Sequence, residues 1–515
     1  MEEPHLHIGD PMWSVERDLQ VDDSADSIGE KARPFDPNLE KRVRRKIDLC
    51  LVPAMVIGYG LVYYDKGFLT AILKALLGNA VLFGMTADLQ LSVTDTSVSP
   101  PVKDTSRLSW ATSLFYFGQL AGSYPMTYAL QRFDSRFVLG PMVMIWAIIC
   151  AATAGVSSWR GLFVQRFFLG FTESIIPTCF MVTVSGFYTQ SEQSLRQSWW
   201  WSATGWFTII GGAISYGFAQ IEGSLQPWQY IYIFAGALTF LFGIVCFFIP
   251  NAPSNAWFLT PEERIVAVER LRIGQTGIKQ NKLKLSQIKE GLLDINVWLV
   301  SITMAAAYTV NGAVSGFGPL IVSTFGYSSL DSILFQFPLG GVSGVGIILT
   351  GWLCSKVKNI RIILLILCCL PVIAGFAMIW KSTWGTKPVT PVAGYSLLGF
   401  FGPVVGLIIS LGSANVAGHT KRSFNAAAIF VAYCVGNIIG PQLIRSQTKG
   451  QHYPELWTGL IICYCIVILT SSILYVLWSH ENKRRVSLGL DEAERERLGF
   501  KDLTDKENLH FEYVY

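Results

Sequence analysis

The stretch Arg361-Ile-Ile-Leu-Leu-Ile-Leu-Cys-Cys-Leu-Pro-Val-Ile-Ala-Gly-Phe-Ala-Met-Ile-Trp380 holds no charged side chain after its first residue. Coiled as a helix, about 20 residues of this kind span about 30 Å, the hydrocarbon thickness of a bilayer. Similar runs recur along nearly the whole chain. Working outward from this one gives twelve, at 47–66, 108–130, 137–157, 161–187, 198–220, 229–250, 296–320, 329–353, 361–380, 392–415, 424–444 and 457–478. The apolar positions are continuous rather than alternating, and lipid tolerates no unpaired backbone, so the runs read as helices and not as barrel strands. The expected fold class is an all-α integral membrane protein, with twelve transmembrane helices in two six-helix bundles.

Composition agrees. Of 515 residues, 51% are hydrophobic and 15% charged, where soluble proteins carry about 25% charged residues; mean hydropathy is +0.41. A net charge of +4 with no basic stripe argues against a nucleic-acid partner. Eight of the ten cysteines (Cys150, Cys179, Cys246, Cys368, Cys369, Cys434, Cys463 and Cys465) sit inside apolar runs without metal-ligand spacing, so they read as small apolar filler. Neither a metal nor a cofactor is expected. The histidines, at 5, 7, 419, 452, 480 and 510, fall in tails or loops. An intramembrane enzyme would need paired histidines or a nucleophile beside a base, so that class is not expected.

The expected organisation is a polar tail (1–46), a first six-helix bundle (47–250), a linker with a short helix (251–294), a second bundle (295–480) and a short, charged, featureless tail (481–515). No cleavable signal precedes the first run. Lys41, Arg42, Arg44, Arg45 and Lys46 flank the first span, and Lys483, Arg484 and Arg485 follow the last. With an even number of crossings, the positive-inside rule puts both tails in the cytosol. A plasma-membrane monomer is expected. In the linker, Thr260-Pro261-Glu262-Glu263 carries a capping hydroxyl, a first-turn proline and acids near the positive helix end. The polar connections Gln131–Arg136 and Ser355–Arg361 occupy matching places in the two halves, the organisation of two-bundle secondary transporters. Residues 67–86 form a second apolar stretch containing Lys74, either an extended first helix or a re-entrant piece, and 92–107 reads as an outer loop.

Several patterns together resemble the anion:cation symporter family of the major facilitator superfamily, in its allantoate permease-like branch. They are Arg45-Lys46-Ile47-Asp48-Leu49 leading to Tyr63-Tyr64-Asp65-Lys66, with Gly78-Asn79-Ala80 and Phe83-Gly84-Met85 beyond. Arg166-Phe-Phe-Leu-Gly170-Phe-Thr-Glu173-Ser-Ile-Ile-Pro177 follows, then Leu259-Thr260-Pro261-Glu262-Glu263-Arg264. The last is Asn415-Val-Ala-Gly418-His419-Thr420-Lys421-Arg422, with Asn425 and Gly436-Asn437-Ile-Ile-Gly440-Pro441-Gln442 after it. The matches run in order over about 45–480. Two departures stand out: 131–136 is a degraded form of the superfamily's glycine-rich Asp-Arg motif, and Gly67–Lys74 looks inserted.

Glu173 is the strongest candidate for proton coupling. It lies about 16 Å into its span, where a charge costs at least about 2.5–3.5 kcal/mol unless it faces a cavity or finds a partner. Burial favours a carboxyl's neutral form, which suits a proton carrier, a role the resemblance also implies; the alternative is a neutral carboxyl hydrogen-bonded between helices. Arg166, seven residues earlier on the same helix face, can grip a carboxylate through two parallel hydrogen bonds, or instead snorkel to the surface. Asn311, Asn437 and Gln442 are further substrate-binding candidates, with interhelical bonding the alternative. His419, Lys421 and Arg422 are candidate gating residues, or simply the basic residues that set topology. Tyr116, Tyr124 and Tyr128 recur along the second span and read as packing.

The expected function is secondary active transport, with the lipid bilayer, protons and a small carboxylate or vitamin-like organic anion as partners. Symport rests on the resemblance. The alternative is an exporter of a secondary metabolite or drug on the same fold, and a nutrient-sensing receptor ranks below both.

Overall fold

The computed structural model describes residues 37–72, 88–91, 93–95, 102–104, 106–218, 220–221, 223–273, 284–323, 325–327, 334–383, 388–488 and 503–515. Helices stand at all twelve expected spans. In the first half they are Pro37–Ile72, Ser106–Arg132, Ser135–Ala152, Trp159–Phe187, the broken pair Gln190–Trp201 and Ala203–Phe218, and Pro227–Cys246. The second half has Ile295–Ser323, Gln336–Lys356, Arg361–Lys381, Val389–Ala414, His419–Gln442 and Pro454–Ser487. Among the described residues, nine are long and apolar enough to cross a bilayer alone, and Leu285–Leu293 with Ile295–Ala313, bent by 63°, can make a tenth. The second and fifth spans are not among these nine. Ser109, Thr112, Ser113 and Gln119 of the second are all buried.

Lipid tails are as apolar as leucine, so helices in a bilayer associate through close packing rather than hydrophobic drive. Glycine supplies that closeness here. A Cβ on Gly170 of the fourth span would collide with the Phe115 carbonyl of the second, and one on Gly118 or Gly122 with the Phe167 or Phe171 carbonyl of the fourth. Gly436 and Gly440 press the eleventh span onto the seventh in the same way, and Gly205, Gly340 and Gly344 press the fifth onto the eighth. Between the halves, the second span packs on the eleventh, the fifth on the eighth and the first on the seventh.

The linker is divided between the halves. Its first helix, Pro261–Ile273, begins with the expected cap: Thr260 Oγ1 accepts from the Glu263 amide at 3.3 Å, and Glu263 returns a carboxylate to the Thr260 amide at 3.0 Å. This helix docks on the first half, where Lys46 Nζ reaches both Glu263 oxygens at 2.7 Å and Arg270 donates to the Phe187 carbonyl at 3.1 Å. Burial pushes the Glu263 carboxyl up, but the bonds from Lys46 and Thr260 outweigh it and hold the group below the usual carboxylate range. Arg196 grips Asp48 with two bonds at 3.1 and 2.9 Å on the same face. The second linker helix, Leu285–Leu293, docks on the other half: Gln287 Oε1 accepts from the Thr420 and Lys421 amides, at 3.0 and 3.2 Å, and so caps the eleventh span.

Three sequence expectations are refined. The first helix starts at Pro37, ahead of its apolar run, because its basic turns pair with Glu263 and Glu192. It also continues past Lys66 to Ile72, so the apparent insertion 67–74 falls at its end; residues 73–87 lie outside the described residues. Within the expected loop 92–107, Val93–Asp95 pairs antiparallel with Val102–Asp104.

Candidate functional site

Glu173 ends the first segment of the fourth span, and a second helix restarts at Ile175. Pro177 accounts for the break: it has no N–H to offer the Glu173 carbonyl four residues back, and its ring crowds that oxygen. The carboxylate is fully buried and accepts a hydrogen bond at 3.0 Å from Nε2 of Gln119, itself 1% exposed. The glycine contacts make this bond reachable. Gly118 and Gly170 let the two backbones touch, which brings the side chain next to Gly118 up to the residue one turn beyond Gly170. Tyr59 of the first span and Tyr116 of the second are also buried.

Arg166 is also buried, at 3% exposure, so its guanidinium does not snorkel. It donates to the Tyr232 hydroxyl of the sixth span at 2.5 Å and lies 5.9 Å from that ring's centre. Among the described residues no carboxylate lies within 4.0 Å of it, and its buried Nε has no hydrogen-bond partner.

Asn311 and Asn437 are joined. Nδ2 of Asn311 donates to Oδ1 of Asn437 at 2.7 Å, and the Tyr63 hydroxyl donates to Asn311 Oδ1 at 3.4 Å, linking first, seventh and eleventh spans. Asn437 Nδ2 also donates to the Tyr433 carbonyl at 2.9 Å, and the Tyr433 ring packs against those of Tyr116, Tyr308 and Phe430, the Tyr308 and Tyr433 centroids 4.5 Å apart. Gln442 sits apart from this cluster, exposed, and donates to Ser113 Oγ at 3.1 Å. With Ser109 to the Pro441 carbonyl (3.1 Å) and Ser113 to the Ile438 carbonyl (3.3 Å), it stitches the halves together on the face away from the linker.

Of the three candidate gating residues, only Lys421 is sealed from solvent. Its ammonium touches Glu290, Asp294 and Asp505 at 2.8, 2.6 and 2.7 Å. Burial pushes the Asp294 carboxyl up, yet Lys421 outweighs it and holds the group below its ordinary range. His419 and Arg422 are exposed at the same helix start, and Arg422 Nε donates to the Val416 carbonyl at 3.3 Å. Tyr116 is buried, whereas Tyr124 and Tyr128 are 79% and 60% exposed.

Sequence reasoning missed Gln119 and Tyr232, the direct partners of the two central charges. Gln119 had a signal, a lone amide in an apolar run; one tyrosine among 19 had none.

The model of the Major Facilitator Superfamily matches residues 55–441. The chain belongs to that superfamily. Its members are transporters, not enzymes. It is 30% identical to allantoate permease of Saccharomyces cerevisiae, over 96% of this chain and 90% of that one. It is 29% identical to the thiamine pathway transporter THI73 of the same yeast (95% and 89% covered). An uncharacterised transporter of Schizosaccharomyces pombe is 32% identical, with 97% and 91% covered. Among solved structures, the proton:xylose symporter XylE bound to 6-bromo-6-deoxy-D-glucose superposes with a TM-score of 0.62 at 13% identity, covering 85% of this chain and 96% of that one. At that identity the likeness concerns the fold alone.

Proposed function

We propose that this superfamily transporter takes up a small organic anion together with protons by alternating access, with Arg166 as the anion anchor and Glu173 as the proton carrier. One observation carries the reading: a guanidinium 3% exposed, bound to a single neutral phenol and to no carboxylate among the described residues. A buried charge without a counter-charge is strongly unfavourable. A substrate carboxylate would supply the counter-charge that no described residue provides, in the two-bond geometry that arginine favours. Allantoate, named for the yeast relative, is an anion of this type.

Glu173 then handles the proton. Ionised, it is held by Gln119; protonated, it removes a net charge from the protein interior, so the loaded halves can rock past each other at less electrostatic cost. Asn311 and Asn437 supply neutral donors and acceptors at the same central seam. The linker face is the cytosolic face in this reading, and the Ser109, Ser113 and Gln442 bonds form the outer seal. Lys421 fixes the cytosolic end of the eleventh span.

The test is uptake by a transporter-deficient host offered a panel of organic carboxylates. Glu173→Gln abolishes pH-driven uptake while surface expression is unchanged. Equal uptake by wild type and variant at several pH values removes the assigned role, and net outward flux down the same gradient assigns the chain to export instead.

A further inference from the structure

The segment 503–515 is docked on the second half, with Thr504, Asp505 and Tyr513 buried. Its first turn is self-determined: Thr504 Oγ1 accepts from the Glu507 amide at 3.2 Å while Glu507 accepts from the Thr504 amide at 2.9 Å. Beyond the turn, two asparagines of the second half each read one residue's backbone at both ends. Asn482 donates to the Tyr513 carbonyl at 2.7 Å and accepts from its amide at 2.9 Å. Asn415 does the same for Val514, at 2.8 and 2.7 Å. Arg485 donates to the carbonyls of Asp505, Asn508 and Phe511, at 2.9, 3.3 and 2.6 Å. The Tyr513 ring stacks on Trp478 with centroids 6.1 Å apart and planes 4° from parallel.

The same segment holds the second linker helix. Thr504 Oγ1 donates to Glu290 at 3.0 Å, Lys506 Nζ lies 3.2 Å from Asp294, and Asp505 meets Lys421 at 2.7 Å between those two acids. The carboxylates of Glu290, Asp294 and Asp505 would be close enough to share a metal ion, but the Lys421 ammonium already supplies the positive charge. Leu285–Leu293 is thus clamped between the eleventh span and segment 503–515.

We propose that the linker face of the second half is a peptide-binding site whose ligand is the chain's own segment 503–515, and that occupancy pins the second linker helix. With that helix pinned, and Pro261–Ile273 fixed to the first half through Glu263 and Arg270, only residues 274–283 separate the two docked helices along the chain. Emptying the site leaves Leu285–Leu293 held from one side only, by the eleventh span through Gln287 and Lys421, and a helix held from one side opens more readily when the halves move.

The experiment places a protease recognition sequence within 489–502 of the full chain, cleaves it in lipid nanodiscs, and asks by gel filtration whether 503–515 stays with the transporter. It stays with the wild type and is lost from Asn415→Leu/Asn482→Leu. A segment variant, Asp505→Lys/Tyr513→Ala, leaves every membrane helix untouched and is also lost. Release from the wild type, or equal retention of the segment variant, overturns the site. Loss of the segment speeds amide exchange over 285–293 by about tenfold; unchanged exchange after release overturns the pinning. Neither readout involves transport.

Discussion

The amide of Gln119 donates to the carboxylate of Glu173 at 3.0 Å, both side chains sealed from solvent between the second and fourth spans. A hydrogen bond to a carboxylate favours its ionised form. Gln119→Leu removes that bond at nearly constant volume, so the proton binds more readily and the pH midpoint of uptake moves to higher pH. A bond to a charged group contributes about 1.5–3 kcal/mol, enough for the change to be read in an uptake series. Uptake measured across a pH series checks this, and an unmoved midpoint assigns Gln119 to packing alone.

Tyr232 orients Arg166 through its hydroxyl. Tyr232→Phe keeps the ring and removes the bond, which weakens apparent substrate affinity by about tenfold or more with little change in the pH midpoint. Arg166→Lys keeps the charge but loses the planar fork, and uptake falls further. Concentration dependence of uptake separates these effects from those at Gln119.

Gly170 sets the distance between the second and fourth spans. Gly170→Ala drives a Cβ into the Phe115 carbonyl and costs about 1–3 kcal/mol by overpacking. It also pushes Gln119 away from Glu173. The variant melts at lower temperature in detergent, and its pH midpoint shifts in the same direction as that of Gln119→Leu.

Glu263 ties the first linker helix to Lys46. Because its carboxyl titrates below the usual range, the tie is fully present above the ordinary carboxylate value of about 4.3 and fades only as pH falls through the lower folded value. Docking of 261–273 is therefore constant through the neutral range. Glu263→Gln loosens it at neutral pH, seen as severalfold faster amide exchange over 261–273.

Much of this was legible in advance, because membrane spans write themselves into a chain at a scale of about 20 residues. The Thr260 cap and the buried position of Glu173 follow from local pattern, whereas Arg166 was left open between the interior and the surface. Contacts across spans do not. Nothing in the sequence pairs Gln119 with Glu173, Tyr232 with Arg166 or Asn311 with Asn437, since each depends on which helix faces stack. Segment 503–515 was misread as featureless for a related reason. Its charges look solvated in isolation, yet Thr504-Asp-Lys-Glu507 is the same cap signature recognised at Thr260-Pro-Glu-Glu263, and its buried partners lie on distant helices.

Flux in proteoliposomes tests the central claim most directly, with purified protein, an imposed inside-alkaline gradient and labelled allantoate as the first probe carboxylate. Proton-coupled anion uptake predicts that wild type accumulates the probe, or another carboxylate of the panel, above its outside concentration. Glu173→Gln should then exchange it without accumulation, and Arg166→Leu should bind none. Gradient-driven accumulation by Glu173→Gln equal to wild type would contradict the account.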